Sequence, residues 1–130
     1  MDKRCAVVIF AALAVSTTVA ASSQSDAKRN ASRAFQVEVT AYCVSGETRS
    51  GEQTRPGIVA ADPRVLPLGS VIRVQGLSRR YDRTYTVSDT GRAVKGRHID
   101  IFMPDCTAAK RFGRQTARVR VIETPADGEG

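Results

Sequence analysis

The chain has 130 residues, with 20 lysines and arginines against 13 aspartates and glutamates, a formal net charge of +7. This length provides one domain with a modest core, which excludes multidomain architectures. The sequence has one histidine and no tryptophan, so an enzymatic proton transfer here would depend mainly on carboxylates.

The first 21 residues have the pattern of a secretory signal peptide. Lys3 and Arg4 precede an apolar run at 6–15, and small residues at 19–21 form a cleavage site. The apolar run is too short to span a bilayer comfortably. We therefore expect export and removal of residues 1–21, with an uncleaved membrane anchor as the alternative. The expected location is the periplasm, the outer membrane surface or the extracellular space.

The exported chain stays basic, because residues 22–130 hold 18 basic and 12 acidic residues, a formal charge of +6. A basic surface attracts polyanions in general. Export disfavours nucleic acid, and the aromatic residues are not interleaved with basic ones as a base-stacking platform requires. Arg118 and Arg120 alternate with valines, as outward residues of a half-buried strand do. Charge alone therefore identifies no partner.

Short β-type segments separated by glycine and proline follow a polar, patternless segment at 22–34, which predicts a flexible linker. Residues 124–130 predict a similar tail. Six short strands favour a mainly β barrel or sandwich. One short helix is predicted at 106–112, with Asp105 as its N-cap and Gly113 in the left-handed conformation after its end. The predicted strands are 35–43, 57–61, 70–75, 81–88, 98–103 and 115–123.

Two cysteines, Cys43 and Cys106, remain after processing. An even pair in an exported chain predicts a disulfide, which would contribute about 4 kcal/mol for a loop of this length. A catalytic thiol is the alternative, but the single histidine would be its only base.

The polar loop at 45–57 allows two interpretations. It could be the wall of a cleft or a mobile surface loop.

Three aspartates occur in settings that suggest chemistry. Asp62 precedes a proline, where aspartate often initiates a turn, so a structural role is a strong alternative. Asp89 ends a strand before Thr90 and Gly91, and glycine would let the loop bend sharply over a site. Asp100 lies in an apolar strand, where an ionised carboxylate is costly unless paired or functional. We therefore rank Asp100 first.

The segment 89–101 resembles the three-aspartate (3D) domain of bacterial cell-wall enzymes, shared by the membrane-bound lytic transglycosylase A family and small stationary-phase survival proteins. Further motifs match in the family's order at 40–43, 57–70 and 109–113, so the resemblance covers about residues 37–123. Arg92 replaces a usual second glycine, and Val94 replaces an isoleucine. The family pattern, roughly A-x-D-T-G-G-x-I-x-G-x-x-I-D-[IL], is met at Asp89, Thr90, Gly91, Val94, Gly96, Ile99, Asp100 and Ile101.

The resemblance implies a six-stranded double-psi β-barrel over residues 35–123. It also implies a lytic transglycosylase that cuts the β-1,4 bond between N-acetylmuramic acid and N-acetylglucosamine in peptidoglycan glycan strands. We expect no metal or other cofactor, no nucleic acid, a monomer, and an association with the cell envelope. A non-catalytic sugar-binding barrel, like expansin-type modules, is the alternative. The Asp89-Thr90-Gly91 signature of dimeric aspartic peptidases is a third reading, which the residues after Gly91 continue poorly.

Among the site residues, Asp100 matches the family's proposed general acid/base, and Asp89 and Asp62 match the other two aspartates. A transglycosylase uses the sugar's own 6-hydroxyl as nucleophile, so one carboxyl group first donates and then accepts a proton. Such an acid needs a raised pKa, and we expect repulsion from Asp89 to raise the pKa of Asp100.

Four further residues are candidates for substrate binding. Thr40 and Tyr42 match family positions near the cleft. Lys95, or Arg97, would bind a carboxylate of the peptide stem or a muramic acid substituent, or would simply be exposed. His98 shares a strand face with Asp100 and would either tune it or cap the strand edge.

Overall fold

The computed structural model describes residues 33–125. The predicted signal peptide, nearly all of the predicted linker and most of the predicted tail therefore lie outside the described residues. Within 33–125, no helix is long and apolar enough to cross a membrane. The elements are β1 (Phe35–Tyr42), β2 (Ile58–Ala61), β3 (Val71–Gln75), β4 (Thr84–Asp89), β5 (His98–Phe102), α1 (Cys106–Phe112) and β6 (Gln115–Glu123).

All six predicted strands and the helix are confirmed, with small differences at their ends. The largest difference is the start of β4, which was predicted at Tyr81 and is found at Thr84. The backbone N–H groups of Tyr81 and Asp82 both donate to the carbonyl of Ser78. These residues therefore complete a turn before the strand can begin.

The six strands form a closed barrel in the order β1-β5-β2-β4-β3-β6. Strand β6 closes it by pairing with β1 as well as β3. Two pairs, β1 with β5 and β2 with β4, are parallel, and the other four pairs are antiparallel. The predicted mainly β, six-stranded double-psi barrel with one short helix is confirmed. Closure leaves no free sheet edge for unwanted pairing.

The interior of the barrel is filled by aliphatic side chains at alternate strand positions. Val37 and Val39 of β1 and Ile99 and Ile101 of β5 are at most 2% exposed. Each such side chain contributes about 1.5–3 kcal/mol on burial. Because Ile99 and Ile101 fill the interior, Asp100 between them lies on the outer face of the barrel.

The predicted disulfide between Cys43 and Cys106 is present, with 5.0 Å between the Cα atoms. It joins the residue after β1 to the first residue of α1. The closed loop contains β2 to β5 and both loops that flank the candidate site described below. The bond therefore constrains these parts of the chain together.

The predicted caps of α1 are confirmed in one case and differ in the other. The carboxylate of Asp105 accepts hydrogen bonds from the backbone N–H groups of Thr107 and Ala108, as an N-cap should. Gly113 ends the helix with the expected positive φ of 63°, but its ψ of −135° lies outside the left-handed helical region. The chain turns directly into β6, and glycine adopts this backbone region at no steric cost.

Candidate active site

Four residues form a row across the outer face of the barrel. Thr40 of β1 pairs with Asp100 of β5, and Asp100 pairs with Ala60 of β2. Ala60 in turn pairs with Asp89 of β4. The two aspartates are thus separated by two strand spacings, about 10 Å between Cα atoms, with only a methyl group between them.

A β-bulge brings Asp89 into this row. Val59 pairs with Val87, but the register then shifts, so that Ala60 pairs with Asp89 instead of Ser88. Tyr85 and Val87 face the core, and simple alternation would turn Asp89 towards the core as well. The extra residue reverses the alternation and directs the carboxylate of Asp89 outwards, as bulges beside active sites commonly do.

Three residues of the row, Asp100, Ala60 and Asp89, line a cleft of about 320 Å³. The loop after β1 forms one side of this cleft, and the loop after β4 forms the other. The lining residues of the cleft are Tyr42, Val44, Ser45, Gly46, Glu47, Thr54, Ala60, Asp89, Thr90, Gly91, Val94 and Asp100.

The loop at 45–57 is the cleft wall, one of the two alternatives that the sequence left open. Its arms are joined by a bridge between Glu47 and Gln53 and by a bond from the N–H of Thr54 to the carbonyl of Gly46. The loop is also attached to the end of β4, because the N–H of Ser50 donates to the carbonyl of Ser88. These contacts fix the wall beside Asp89.

Asp100 is half-buried on the cleft floor and has one well-placed hydrogen-bond donor. The hydroxyl of Thr40 donates to Oδ1 of Asp100 at 2.9 Å, and Oγ1 of Thr40 lies 2.7 Å from Nε2 of His98. Because the single hydroxyl proton of Thr40 goes to Asp100, Nε2 of His98 must carry the proton that it donates to Thr40. His98 therefore acts on Asp100 through Thr40.

Burial raises the pKa of Asp100 above its usual value, while the Thr40 hydrogen bond and the charge of His98 lower it in part. The expected direction of the shift is thus present, but the expected cause is wrong. Desolvation, not repulsion from Asp89, raises the pKa of Asp100. Ala60 keeps the two carboxylates on separate strands, which weakens their mutual repulsion.

Tyr42 links the two carboxylates electrostatically. Its pKa is raised to about 12 by burial and by the negative charges of Asp89 and Asp100. The ring packs edge-to-face on Phe102, with centroids 5.4 Å apart. The hydroxyl is buried and has no hydrogen-bond partner among the described residues. The raised pKa keeps this buried hydroxyl neutral, and the residue contributes to the cleft lining.

Asp89 orders the two loops that form the sides of the cleft. Its Oδ1 accepts hydrogen bonds from the backbone N–H of Arg49 at 3.0 Å and from that of Thr90 at 2.8 Å. Arg49 belongs to the 45–57 loop, and Thr90 is the first residue of the loop after β4. Asp89 thus lies in the cleft and also holds its walls in place.

Asp62 lies outside the cleft lining, and its carboxylate is fully engaged. The side chain is 2% exposed and pairs with Arg64 through Oδ2 and Nη2 at 2.9 Å. It also accepts from the backbone N–H groups of Arg64 and Gly96. The hydrogen bond from the Arg64 side chain is the largest cause that lowers the pKa of Asp62. These contacts explain Asp62 as the anchor of the 91–97 loop, and a catalytic role for it stays a prediction.

Gly91 is needed for close packing and not for an unusual backbone turn. A Cβ atom at this position would lie 2.8 Å from Cγ2 of Val94, a separation that packing does not permit. Gly91 is absent from the positive-φ glycines of the described chain, whereas Gly96 has φ 66°. The loop still turns at Gly91, because the N–H of Val94 donates to its carbonyl, and Gly91 lets Val94 fold against the cleft.

Of the remaining predicted substrate-binding residues, some lie beside Asp100 and others lie on the surface outside the cleft. Thr40 and His98 lie beside Asp100, but Lys95 is exposed and does not line the cleft. The guanidinium of Arg97 lies 5.6 Å above the ring of Phe35. Sequence reasoning missed Glu47 and Thr54 as cleft-lining residues, although both lie in the loop that it identified as a possible wall.

Within residues 33–125, no group of three or more histidine, cysteine, aspartate or glutamate side chains is arranged to hold a metal ion. The chemistry that the cleft itself offers is proton transfer by a half-buried carboxyl group, supported by hydroxyl donors.

The fold and site together define a closed six-stranded β-barrel with a carboxylate-bearing cleft on its outer face. Residues 57–123 match the family model of the 3D domain. The chain therefore belongs to the 3D-domain family, as its motifs indicated.

Two relatives from Bacillus subtilis are similar to the chain in sequence. It is 35% identical over 103 residues to the cell wall-binding protein YocH of Bacillus subtilis (strain 168), covering 72% of this chain and 34% of that protein. It is 33% identical over 116 residues to the putative cell wall shaping protein YabE of the same organism, covering 82% of this chain and 26% of that protein. The chain thus spans about a third or less of these relatives.

Among solved structures, the lytic transglycosylase MltA from Escherichia coli has the same barrel. The match has a TM-score of 0.51 and 25% identity, and it covers 63% of this chain and 28% of MltA. The similarity supports the double-psi barrel fold.

Proposed function

We propose that this protein binds peptidoglycan glycan strands in the cleft and cleaves the β-1,4 bond between N-acetylmuramic acid and N-acetylglucosamine as a lytic transglycosylase. The observation that carries the proposal is Asp100: a half-buried carboxyl group, on a cleft floor, whose pKa burial raises. A raised pKa keeps a larger fraction of the acid protonated near neutral pH, which general acid catalysis requires.

In the proposed first step, Asp100 donates its proton to the glycosidic oxygen, and the bond between this oxygen and C1 of N-acetylmuramic acid breaks. Among the described residues, Oδ1 of Asp100 is engaged by Thr40, while Oδ2 receives no hydrogen bond and can carry the proton. Charge develops on the sugar ring as an oxocarbenium-like species, which the newly formed Asp100 carboxylate stabilises.

In the second step, the 6-hydroxyl of the same N-acetylmuramic acid attacks C1. The Asp100 carboxylate accepts the proton of that hydroxyl, and a bond forms between O6 and C1. The products are a 1,6-anhydro end and a free N-acetylglucosamine 4-hydroxyl. No water is consumed, so one carboxyl group returns to its starting state without a second carboxylate that activates water.

The other site residues support this reaction in distinct ways. Thr40 orients Asp100 and transmits the hydrogen bond of His98. Tyr42, which lines the cleft, would contact the bound sugar. Asp89 would hold the cleft walls and add negative charge near the oxocarbenium-like ring. Asp62 would act on the site indirectly through Gly96, and Lys95 would bind an anionic substituent at the cleft rim.

A second candidate is a peptidoglycan-binding module without catalysis. The similarity to YocH, a cell wall-binding protein, favours it. The cleft and its hydroxyl donors would serve such a module equally well. The two candidates differ in one respect, because only the enzyme requires the protonated form of Asp100.

An extracytoplasmic location accords with the disulfide and with the cell wall relatives. We further propose export by the N-terminal segment to the periplasm, the outer membrane surface or the extracellular space. There the protein would act as a monomer on the envelope.

The test is digestion of purified peptidoglycan sacculi, with mass spectrometry of the released muropeptides. We expect anhydro-muropeptides from the protein and none from an Asp100→Asn variant, whose circular dichroism spectrum and sedimentation with sacculi should remain normal. Reducing ends would instead indicate hydrolysis. Sedimentation without any product would leave the binding module as the function.

A further inference from the structure

The outer face of β3 and β6 carries three exposed arginines: Arg73, Arg118 and Arg120. They alternate with buried residues of the barrel core, such as Val74 and Val119. Alternation explains why these positions are polar, but it does not explain why all three are arginine. We call Arg73, Arg118 and Arg120 the arginine face.

The register of the sheet sets two of these arginines directly against each other. Arg73 pairs with Arg120 across the antiparallel strands, and Arg118 follows two positions along, opposite Gln75. Directly opposed residues have Cβ atoms about 5 Å apart, diagonal ones about 7–8 Å, and opposed like charges destabilise a sheet. The arrangement therefore reduces stability unless something neutralises it.

Neither acidic side chains nor aromatic rings of the described chain provide that neutralisation. The ion pairs among described residues join Arg55 to Glu52, Arg64 to Asp62 and Arg114 to Glu38. Glu38 lies on the neighbouring strand β1, opposite Thr116, but it is held by Arg114 at 2.7 Å. Within residues 33–125, the three guanidinium groups of the arginine face therefore have no acidic or aromatic partner.

We propose that the arginine face binds an extended polymer of linked phosphate groups that carries no nucleobases. Guanidinium groups bind phosphate oxygens in a bidentate manner, and three of them at close spacing can engage successive phosphates of one chain. A bound polyanion would also relieve the repulsion between Arg73 and Arg120. This explains a local arrangement that the fold alone disfavours.

The surroundings of the face favour a polymer over a membrane or a nucleic acid. The neighbouring outward residues Gln36, Gln75 and Thr116 are polar, and Ile122 is the one large exposed apolar side chain nearby, at 56% exposure. A membrane site needs a broader apolar surface. No aromatic ring stands among these outward positions to stack on bases.

The face lies on the far side of the barrel from the cleft. In the closed order of strands, β5 and β2 carry Asp100 and Ala60, while β3 and β6 occupy the opposite positions. A polymer on the arginine face and a glycan in the cleft can therefore be bound at the same time. The inference is independent of the proposed cleavage reaction.

The test measures binding of the purified protein to long-chain inorganic polyphosphate at several salt concentrations. The triple variant Arg73→Gln, Arg118→Gln, Arg120→Gln is compared with a matched control, Arg79→Gln, Lys110→Gln, Arg111→Gln, which loses the same charge at other exposed positions. We expect at least a tenfold loss of affinity for the first and less than threefold for the second. For the arginine-face variant, the slope of log affinity against log salt concentration should become shallower by about 2, because each of the three lost phosphate contacts contributes about 0.7.

A single substitution keeps the test decisive if the triple variant folds poorly. Arg73→Gln should raise the melting temperature, because it removes the opposed charge, while it weakens polyphosphate binding. A merely structural arginine would lower the melting temperature instead. Added polyphosphate should raise the melting temperature of the unaltered protein more than that of Arg73→Gln.

Three results would overturn the inference. One is an equal loss of affinity in the matched control, which would show that net charge alone is responsible. The others are tighter binding to vesicles containing anionic lipid, or to single-stranded DNA, than to polyphosphate at equal phosphate concentration. Digestion of sacculi by the face variants should be unchanged, so failure of this inference and failure of the cleavage proposal are distinguishable.

Discussion

Thr40 donates a hydrogen bond from its hydroxyl to Oδ1 of Asp100 at 2.9 Å, across the parallel pair β1 and β5. This bond favours the ionised form of Asp100, against the effect of burial. The acidity of the proposed catalytic group is therefore set by two opposing local effects. The substitutions below test each of them.

Replacement of Thr40 by valine keeps the side-chain volume and removes the hydrogen bond. Since that bond lowers the pKa of Asp100, its loss should raise the pKa further. The alkaline limb of the kcat/KM profile against pH, which reports the protonated acid, should then move to higher pH. Thr116→Val on β6, an exposed position, is the control. An unmoved limb would mean that a group other than Asp100 is titrating.

Replacement of Asp100 by asparagine should stabilise the protein at neutral pH while it abolishes cleavage. A pKa raised in the folded state means that folding favours the protonated carboxyl group. Asp100 therefore reduces the free energy of unfolding as the pH rises above 3.8, the pKa of this carboxyl group in the unfolded chain. Asparagine has no charge to desolvate, and its amide oxygen can still accept from Thr40. Thermal unfolding at pH 7 should show a higher midpoint for the variant.

The difference between Asp100→Asn and the unaltered protein should disappear below pH 3.8, where the carboxyl group is protonated in both states. A variant that is less stable at pH 7 would indicate that the ionised Asp100 is paired more strongly than the structure suggests.

Asp62 should behave in the opposite way. Its pKa is lowered by Arg64 and by backbone donors, so its contribution to stability is present above the unfolded value of 3.8 and is lost as pH falls through the folded pKa. Asp62→Asn should therefore lower the melting temperature at pH 7, with a smaller effect in acid. Hydrogen exchange should show faster exchange at the Gly96 amide.

Asp89→Asn provides a comparison for the Asp62 substitution, because Asp89 lies in the cleft and Asp62 does not. We expect Asp89→Asn to reduce cleavage with a smaller change in melting temperature. If Asp62→Asn abolished cleavage in a fully stable protein, Asp62 would have a direct catalytic role, as the family motif predicts.

Reduction of the Cys43–Cys106 bond should lower the free energy of unfolding by about 4 kcal/mol on the chain-entropy model, because the bond closes a loop with a sequence separation of 63 residues. Urea unfolding with and without a thiol reductant measures the effect. The Cys43→Ser, Cys106→Ser variant should match the reduced protein and show no response to reductant. Equal stability of the oxidised and reduced protein would contradict this prediction.

The sequence predicted most of the barrel because its strands obey the simple period of two. Alternation across Ile99, Asp100 and Ile101 was enough to place the carboxylate on a different face from the core. The same rule fails for Asp89, since the bulge after Val59 depends on how two distant strands pair. No local pattern contains that information.

The cause of the raised Asp100 pKa was unpredictable for a related reason. Sequence reasoning counted charges, and Asp89 was the obvious neighbour. The actual cause is desolvation by burial, and how deeply a strand residue is buried depends on the loops that pack around it, which their composition does not reveal. The presence of Glu47 in the cleft lining could not be predicted for the same reason.

Glu47 provides the sharpest test of the reaction type. It lines the cleft with Asp89 and Asp100, so it is a candidate for the second carboxylate that a hydrolase needs to activate water. A transglycosylase has no such requirement, because the sugar provides its own hydroxyl. We therefore expect Glu47→Gln to retain cleavage within about threefold, a change under about 0.7 kcal/mol in barrier, with anhydro ends as the product.

Glu52→Gln is the matched control for Glu47→Gln, since Glu52 lies in the same loop but outside the cleft lining and pairs with Arg55. Both variants should give the same muropeptides as the unaltered protein. A loss of tenfold or more that is confined to Glu47→Gln, together with reducing ends in the residual product, would replace the single-carboxyl mechanism with hydrolysis by Asp100 and Glu47. The ratio of anhydro to reducing ends thus decides which chemistry the cleft performs.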